Sequence, residues 1–211
     1  MNGMSMPHAS WFHAGAGYMG MWIAMMVPMM LPSLVPMLGR YRRTVRSTDG
    51  MHLHGLTVLV GAGYFSVWAA LGAAAFAVST ALTAAEMHWP LGTRGLPVVA
   101  GAVLLAAGGL QLTSWKTRQL VRCREGSRCG STLTSTPLGA WQHGLRLGVR
   151  CALCCSGLML ALLAMGMMNL FAMAAVTLAI TAERLAPAPL RVARAAGVAI
   201  VALGVVAIAR I

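Results

Sequence analysis

Sulfur-bearing side chains recur at helical spacing in the segment MGMWIAMMVPMMLPSLVPML, residues 19–38, which contains seven of the chain's 17 methionines. Met21, Met25 and Met29 follow one another at intervals of four, and so do Met26 and Met30. This spacing places side chains on neighbouring turns of one helix face. Thioether sulfur is a soft ligand that suits Cu(I), whereas methionine also serves as a flexible filler of packed helices. Spacing alone leaves both interpretations open.

Three prolines share the second half of this segment. Pro28, Pro32 and Pro36 also recur at intervals of four, and each removes a backbone donor and loosens the helix. Within a membrane, broken helices are tolerated where they are buried or line a cavity. The prolines therefore favour a central helix, in which we expect Met25, Met26 and Met29 to point inward.

A second group of soft donors lies in RCALCCSGLM, which brings Cys151, Cys154 and Cys155 within five positions. At about 100° per residue, the three thiols share an arc of roughly 100° on a helix. On an unbroken helix, His143 and Met165 fall within or beside the same sector. The arrangement predicts a ladder of soft donors for a metal or for redox chemistry. The alternative is that small cysteines simply pack well.

Two further cysteines, Cys123 and Cys129, lie between the apolar segments. Their C-x5-C spacing differs from the tighter pairs of structural zinc sites, and the odd total of five cysteines argues against a disulfide framework. Thiols on a cytoplasmic face stay reduced and can bind metal, so Cys123 is another candidate ligand. The chain has only four acidic residues, which leaves little for a hard metal.

The elements that must position these residues are apolar helices. Of 211 residues, 58% are hydrophobic and 9% are charged, and the mean hydropathy is +0.74. Soluble domains carry about 25% charged residues, so we predict one integral membrane domain, an all-α polytopic bundle of about six transmembrane helices. Apolar runs long enough to span a bilayer place the helices at about 18–38, 56–82, 96–115, 144–166, 168–183 and 193–210, with a cytoplasmic loop at about 116–143.

The net charge of +12 comes from basic residues grouped at the ends of these runs. The groups lie at 40–46, at 116–150 and at 184–194, and threading six spans puts all of them on one face. This is the positive-inside pattern, which also attracts anionic lipid. It predicts a protein of the cytoplasmic membrane with both termini outside and membrane lipids as partners, and it argues against nucleic-acid binding.

Polar and small residues within the apolar runs predict helix contacts. We expect Gln111 to hydrogen-bond to a neighbouring helix and Glu183 to form an ion pair with a nearby arginine. A stripe of small residues at intervals of four also favours close helix approach; its members are Ala69, Ala73, Ala77, Ala81 and Ala85.

Four segments in order along the chain resemble a family of bacterial integral membrane proteins of unknown function that are predicted to bind metal. They are MWIAMMVPMMLPSLVPM, GYFSVW, LQLTSWKTRQLVRCR, and GLRLGVRCALCCSGLM continuing through GMMNLFAM to Glu183. The resemblance implies a multi-helix membrane fold. It also implies metal binding near the matched positions Cys151, Cys154, Cys155, Cys123, Met25 and Met26. Leu147 stands where the family leads us to expect a histidine, and His143, one turn earlier, is the candidate replacement.

The leading prediction is a membrane protein that binds Cu(I) for transport or for delivery to a metalloenzyme. Methionines near the outer face would accept the ion and the cysteines would hold it near the cytoplasm, with a metalloprotein or metallochaperone as partner. One alternative is a metal-dependent or thiol oxidoreductase that uses the same cysteines. Another is a scaffold subunit of a complex, or a homo-oligomer, docked through the alanine stripe. No hydrolase, zinc-protease or P-loop motif is present.

Overall fold

The computed structural model describes residues 8–45, 50–88, 92–125, 136–166 and 169–209. Over these ranges the chain is entirely α-helical, with seven helices and no strand. The predicted all-α class is confirmed. Six helices overlap the six predicted apolar runs, and the additional helix, α4, occupies the start of the expected loop. The helices are α1 His8–Thr44, α2 Gly50–His88, α3 Gly92–Leu112, α4 Ser114–Glu125, α5 Pro137–Met165, α6 Leu170–Leu185 and α7 Pro189–Ala209.

Four helices, α1, α2, α5 and α7, are long and apolar enough to cross a membrane by length and composition. Helices α3 and α4 form a fifth if they count as one span, since they meet at an angle of 64° across a short break. Helix α6 has 16 residues, which gives a length of about 24 Å against a hydrocarbon core of about 30 Å. The predicted count of about six spans is therefore not confirmed in the part of the chain that is described.

Helices α2 and α5 run parallel and touch through their backbones. A methyl group added at Gly144 would lie 2.2 Å from the carbonyl oxygen of Val60, and one at Gly148 would lie 2.9 Å from that of Tyr64. Only glycine permits this approach, which is how small residues drive helix packing in an apolar solvent. The contact fixes Tyr64 beside the following turn of α5, where Cys151 lies.

The alanine stripe of α2 does not form this helix contact in the described part of the chain. Ala73, Ala77 and Ala81 are all exposed. The glycines of α5 provide the close contact instead, because they remove bulk from the opposite side of the interface.

The other side of α5 packs against α3 and α6, and both of these helices also pack against α7. A methyl group at Gly108 of α3 would lie 2.9 Å from the backbone nitrogen of Val201 in α7. A methyl group at Gly157 of α5 would lie 3.0 Å from the Gln111 side-chain oxygen. Helix α5 therefore has neighbours on two faces: α1 and α2 on one, and α3, α4 and α6 on the other.

Helix α1 turns its methionines toward the core. Met25, Met26, Met29 and Met30 are all buried, as the sequence predicts for the first three. The helix continues through its three prolines, and all three proline side chains are exposed. The apolar sulfur-bearing face and the proline face thus lie on different sides of α1.

Candidate metal centre

Cys151 lies where α1, α2 and α5 meet, with its side chain completely buried. Its Sγ atom is 2.9 Å from the hydroxyl oxygen of Tyr64 and 3.8 Å from the Sδ atom of Met30. It is also in hydrogen-bonding contact with the thiol of Cys155. Each of the three partners reaches Cys151 from a different direction. The arrangement concentrates soft donors around one buried thiol.

Cys155 follows Cys151 by one helical turn and shares its face of α5. The Cys155 thiol donates to the carbonyl oxygen of Cys151 at 2.9 Å, a back-bond across one turn that holds the side chain against its own helix. Two thiols and the Met30 thioether consequently converge between α1 and α5. Soft sulfur ligands of this kind suit Cu(I), and thiolates also suit zinc and iron–sulfur clusters.

Cys154 belongs to a different contact. It packs with Leu120 and Cys123 of α4 and with Ala193 of α7, and the thiols of Cys123 and Cys154 are in hydrogen-bonding contact. Of the three thiols predicted on one arc, Cys151 and Cys155 therefore contact each other, whereas Cys154 contacts a fourth thiol, that of Cys123. All four cysteines in the described ranges are reduced; Cys129 lies outside those ranges.

A buried ion pair adjoins the second thiol pair. The Lys116 ammonium of α4 lies 2.7 Å from a carboxylate oxygen of Glu183 in α6, and it also donates to the carbonyl oxygen of Cys154. The Gln111 amide donates to the other carboxylate oxygen of Glu183, which confirms the expected contact between helices. The predicted arginine partner of Glu183 is wrong, because Lys116 at the start of α4 reaches the carboxylate.

The next residue, Arg184, places its guanidinium among the cysteines. Its two terminal nitrogens, Nη1 and Nη2, are buried and have no hydrogen-bond partner. The guanidinium lies within electrostatic range of Cys123, Cys151, Cys154 and Cys155. A fixed positive charge therefore faces both thiol pairs. Neither Arg184 nor Tyr64 is a soft metal ligand, and for this reason a search for soft ligands in the sequence passes over both.

The remaining methionines lie beside the cysteine site rather than in it. Met25 and Met26 line a cavity of about 300 Å³, together with Met159 and the rings of Trp22 and Trp68. The Trp22 indole donates to the carbonyl oxygen of Trp68 at 2.9 Å and so fixes one wall. Met29 is buried. The methionine whose sulfur contacts Cys151 is Met30, and its only signal in the sequence is its spacing of four from Met26. Met37 packs against the cluster of Cys123 and Cys154.

His143 and Met165 lie at other levels of α5. His143 stacks on Tyr41 with ring centroids 5.5 Å apart, and it precedes Cys151 by eight residues, or about 12 Å of helix. Met165 follows Cys151 by fourteen residues, about 21 Å of helix. Sharing a helical sector therefore does not bring either residue to an ion held by Cys151.

Among the described residues, no group of three or more histidine, cysteine, aspartate and glutamate side chains is arranged to hold a metal ion. A three-ligand site at Cys151 therefore needs a donor of another type, and the Met30 thioether is a soft donor 3.8 Å from the Cys151 sulfur. Two thiols and one thioether are a donor set that fits Cu(I).

The fold and the site together define an all-helical protein with several helices of membrane-spanning length and buried soft donors between them. A model of the family described as "PpoB2: Copper chaperone" matches residues 19–207, and the chain belongs to that family. No curated protein and no solved structure matches the chain. The match supports a copper-related family, in agreement with the soft donors of the motifs. It does not show that the chain belongs to the particular family of unknown function that the motifs resemble.

Proposed function

We propose that the chain is an integral membrane copper chaperone that binds Cu(I) at Cys151, Cys155 and Met30 and delivers it to a metalloprotein. The observation that carries the proposal is the 3.8 Å contact between the Met30 and Cys151 sulfurs, in a chain of a copper chaperone family. The two sulfurs come from helices far apart in sequence, so the fold rather than local spacing brings the donors together.

The methionines of the cavity extend this site along α1. Met25, Met26 and Met159 face the cavity, and Met30 follows Met26 by one turn, about 6 Å of helix. Thioethers bind Cu(I) as neutral ligands, whereas cysteine binds as a thiolate and loses its proton. An ion that enters at the cavity would therefore pass by ligand exchange from weaker thioethers to the stronger thiolates.

The basic residues give the direction of this path. Arg40, Arg42 and Arg43 lie in the last turns of α1, and Arg146 and Arg150 lie in the first half of α5. Tyr41 stacks on His143, so these two ends lie together. By the positive-inside rule this end faces the cytoplasm of a bacterial inner membrane, with both termini outside. Copper would enter from the cavity side and be held near the cytoplasmic end, where a metalloprotein or metallochaperone would collect it.

Copper binding by the purified protein tests the proposal. The protein in detergent is titrated with Cu(I) against a chromophoric Cu(I) chelator, beside the variant Cys151→Ser/Cys154→Ser/Cys155→Ser. We expect one tightly held Cu(I) in the wild type and none in the variant. Equal binding by both proteins, or no binding by the wild type, contradicts the proposal.

A matched pair of methionine variants tests the assigned third ligand. Met30→Leu removes the sulfur that contacts Cys151, whereas Met21→Leu removes one on the same helix that is 40% exposed. We expect Met30→Leu to weaken Cu(I) binding by about tenfold, the effect of about 1.4 kcal/mol, and Met21→Leu to leave it unchanged. Equal effects of the two substitutions would remove Met30 from the site.

A thiol oxidoreductase is the second candidate, because the thiols of Cys123 and Cys154 come from different helices and touch. Such a pair can close to a disulfide if its geometry allows. Reversible oxidation of this pair during turnover of a quinone would favour the enzyme. Copper loading without turnover would favour the chaperone.

A further inference from the structure

Arg184 is a buried cation with an unfilled bonding capacity. Both terminal nitrogens of its guanidinium are buried without a hydrogen-bond partner. The cost of burying a charge without compensation is several kcal/mol, so a residue kept in this state points to a ligand that completes it. The adjacent carboxylate of Glu183 is already held by Lys116 and Gln111, and that ion pair is neutral as a unit.

Thiols, the Glu183 carboxylate and the Tyr64 hydroxyl lie within electrostatic range of the guanidinium. All four described cysteines lie within its electrostatic range, and Cys151 and Cys155 touch each other. A thiol that binds a metal does so as a thiolate. Two thiols that bind one Cu(I) therefore release two protons, and the bound unit carries one negative charge. With Arg184 beside it the sum is zero. A divalent ion on the same two thiolates is already neutral, and Arg184 would then leave one positive charge uncompensated.

We propose that Arg184 sets the charge selectivity of the candidate copper site, favouring a soft monovalent cation over a soft divalent one. This inference rests on the proposed function, since it requires that Cys151 and Cys155 bind the ion. Arg184 acts through the charge of the bound unit and is not itself a ligand. Low local dielectric makes such a fixed charge effective, because buried charges are screened far less than exposed ones.

The test compares Ag(I) with Cd(II), two soft ions of different charge, on the full-length protein in detergent. The variants are Arg184→Met, which removes the charge, and Arg184→Lys, which keeps it. Arg194→Gln, a substitution of an exposed arginine at the start of α7, is the matched control. We expect Arg184→Met to lower the ratio of Ag(I) to Cd(II) affinity by about tenfold or more, equivalent to about 1.4 kcal/mol. Arg184→Lys and Arg194→Gln should keep the wild-type ratio.

A second measurement separates a charge effect from a structural one. Without metal, Arg184→Met removes an uncompensated buried charge, so its thermal unfolding temperature in detergent should equal or exceed that of the wild type. Added Ag(I) should then raise the unfolding temperature of the wild type more than that of the variant. A merely structural arginine would give the opposite result, with the metal-free variant destabilised.

The outcomes distinguish the two proposals. If the wild type binds neither Cu(I) nor Ag(I), the proposed function fails and this inference falls with it. If the wild type binds both ions and Arg184→Met keeps the wild-type Ag(I)-to-Cd(II) ratio, only the role of Arg184 is overturned. If Arg184→Met fails to fold while Arg184→Lys folds, the charge serves the fold rather than the bound ion, and the inference is also overturned.

Discussion

Two faces of α5 carry the same residue type in different surroundings. On one face, Cys151 and Cys155 meet the thioether of Met30 and the hydroxyl of Tyr64. On the other face, Cys154 meets the thiol of Cys123 beside the Lys116–Glu183 ion pair. The first face adds soft donors to a thiol, and the second adds fixed charges and a hydrogen bond to the backbone.

This difference indicates separate roles for the two faces of α5, metal binding for one and support of the fold for the other. A metal-binding face needs several ligands that can give up hydrogen bonds to one another when an ion enters. The charged groups of the other face are already satisfied by one another, except for Arg184. We therefore propose that the face toward α1 and α2 binds copper and that the opposite face anchors α4 and α6.

The largest expected effect is a loss of stability when one partner of the buried Lys116–Glu183 ion pair is removed. Glu183→Gln leaves the buried ammonium of Lys116 without its carboxylate, and removing one partner of a buried pair costs about 3–5 kcal/mol. The free energy of unfolding in detergent, from urea or guanidinium titration, measures this loss. The double variant Lys116→Met/Glu183→Leu should be less destabilised than Glu183→Gln. A single variant as stable as the wild type would show that the ion pair does not anchor this face.

The comparison itself is tested by serine substitutions at neighbouring positions of α5. Cys151→Ser should weaken Cu(I) binding by more than about 100-fold, exceeding the 10–100-fold typical of residues outside the ligand shell. Cys154→Ser should weaken Cu(I) binding by about tenfold or less, at or below the lower limit of the outer-shell range. Competition with a Cu(I) chelator measures both. A larger effect at Cys154 would reverse the assignment of the two faces.

The α2–α5 contact is the next largest expected effect. Gly144→Ala places a methyl group 2.2 Å from the Val60 carbonyl oxygen, and such overpacking costs about 1–3 kcal/mol. Thermal unfolding measures the loss, and Cu(I) affinity should fall in parallel because Tyr64 is moved from Cys151. Gly61→Ala, where the added methyl meets nothing within 4 Å, is the control and should be neutral or slightly stabilising. Equal stabilities of the two variants would mean that α2 and α5 can separate freely.

The smallest expected effect concerns the face of α5 on which Cys151 meets Met30 and Tyr64. Tyr64→Phe removes the hydroxyl that lies 2.9 Å from the Cys151 sulfur, and one hydrogen bond contributes about 0.5–1.5 kcal/mol. We expect the free energy of Cu(I) binding, measured by chelator competition, to weaken by about 0.5–1.5 kcal/mol. The helical circular-dichroism signal should not change. Tyr18→Phe, a substitution on α1 beside Phe76, should leave the affinity unchanged. A Tyr64→Phe variant with wild-type affinity would assign the hydroxyl to packing alone.

The sequence predicted the elements better than their contacts. Apolar runs predicted six of the seven described helices, while α4 was missed because SWKTRQLVRCRE is polar and basic and contains no membrane-length run. The burial of Met25, Met26 and Met29 was predicted correctly. The sequence did not predict which methionine contacts Cys151. Spacing assigns Met26 and Met30 to one helix face, but it does not give the turn of that face that meets α5.

The predicted ladder of donors along α5 spreads over several turns of the helix. His143 and Met165 were grouped with the cysteines by angular sector, and the rise of about 1.5 Å per residue separates them along the axis. Helix α5 is continuous from Pro137 to Met165, so this separation is fixed. The metal roles of the four described cysteines, of Met30 and of the cavity methionines all stay predictions.

By itself, the sequence determined the apolar all-helical character of the chain, the basic ends of its helices and the presence of soft donors, because these follow from composition and local period. Only the tertiary structure decided that Met30 meets Cys151, that Lys116 pairs with Glu183 and that Arg184 faces the thiols. Helical periodicity fixes which side chains share a face. Which faces meet depends on where two backbones can approach, and here the glycines of α5 decide that approach.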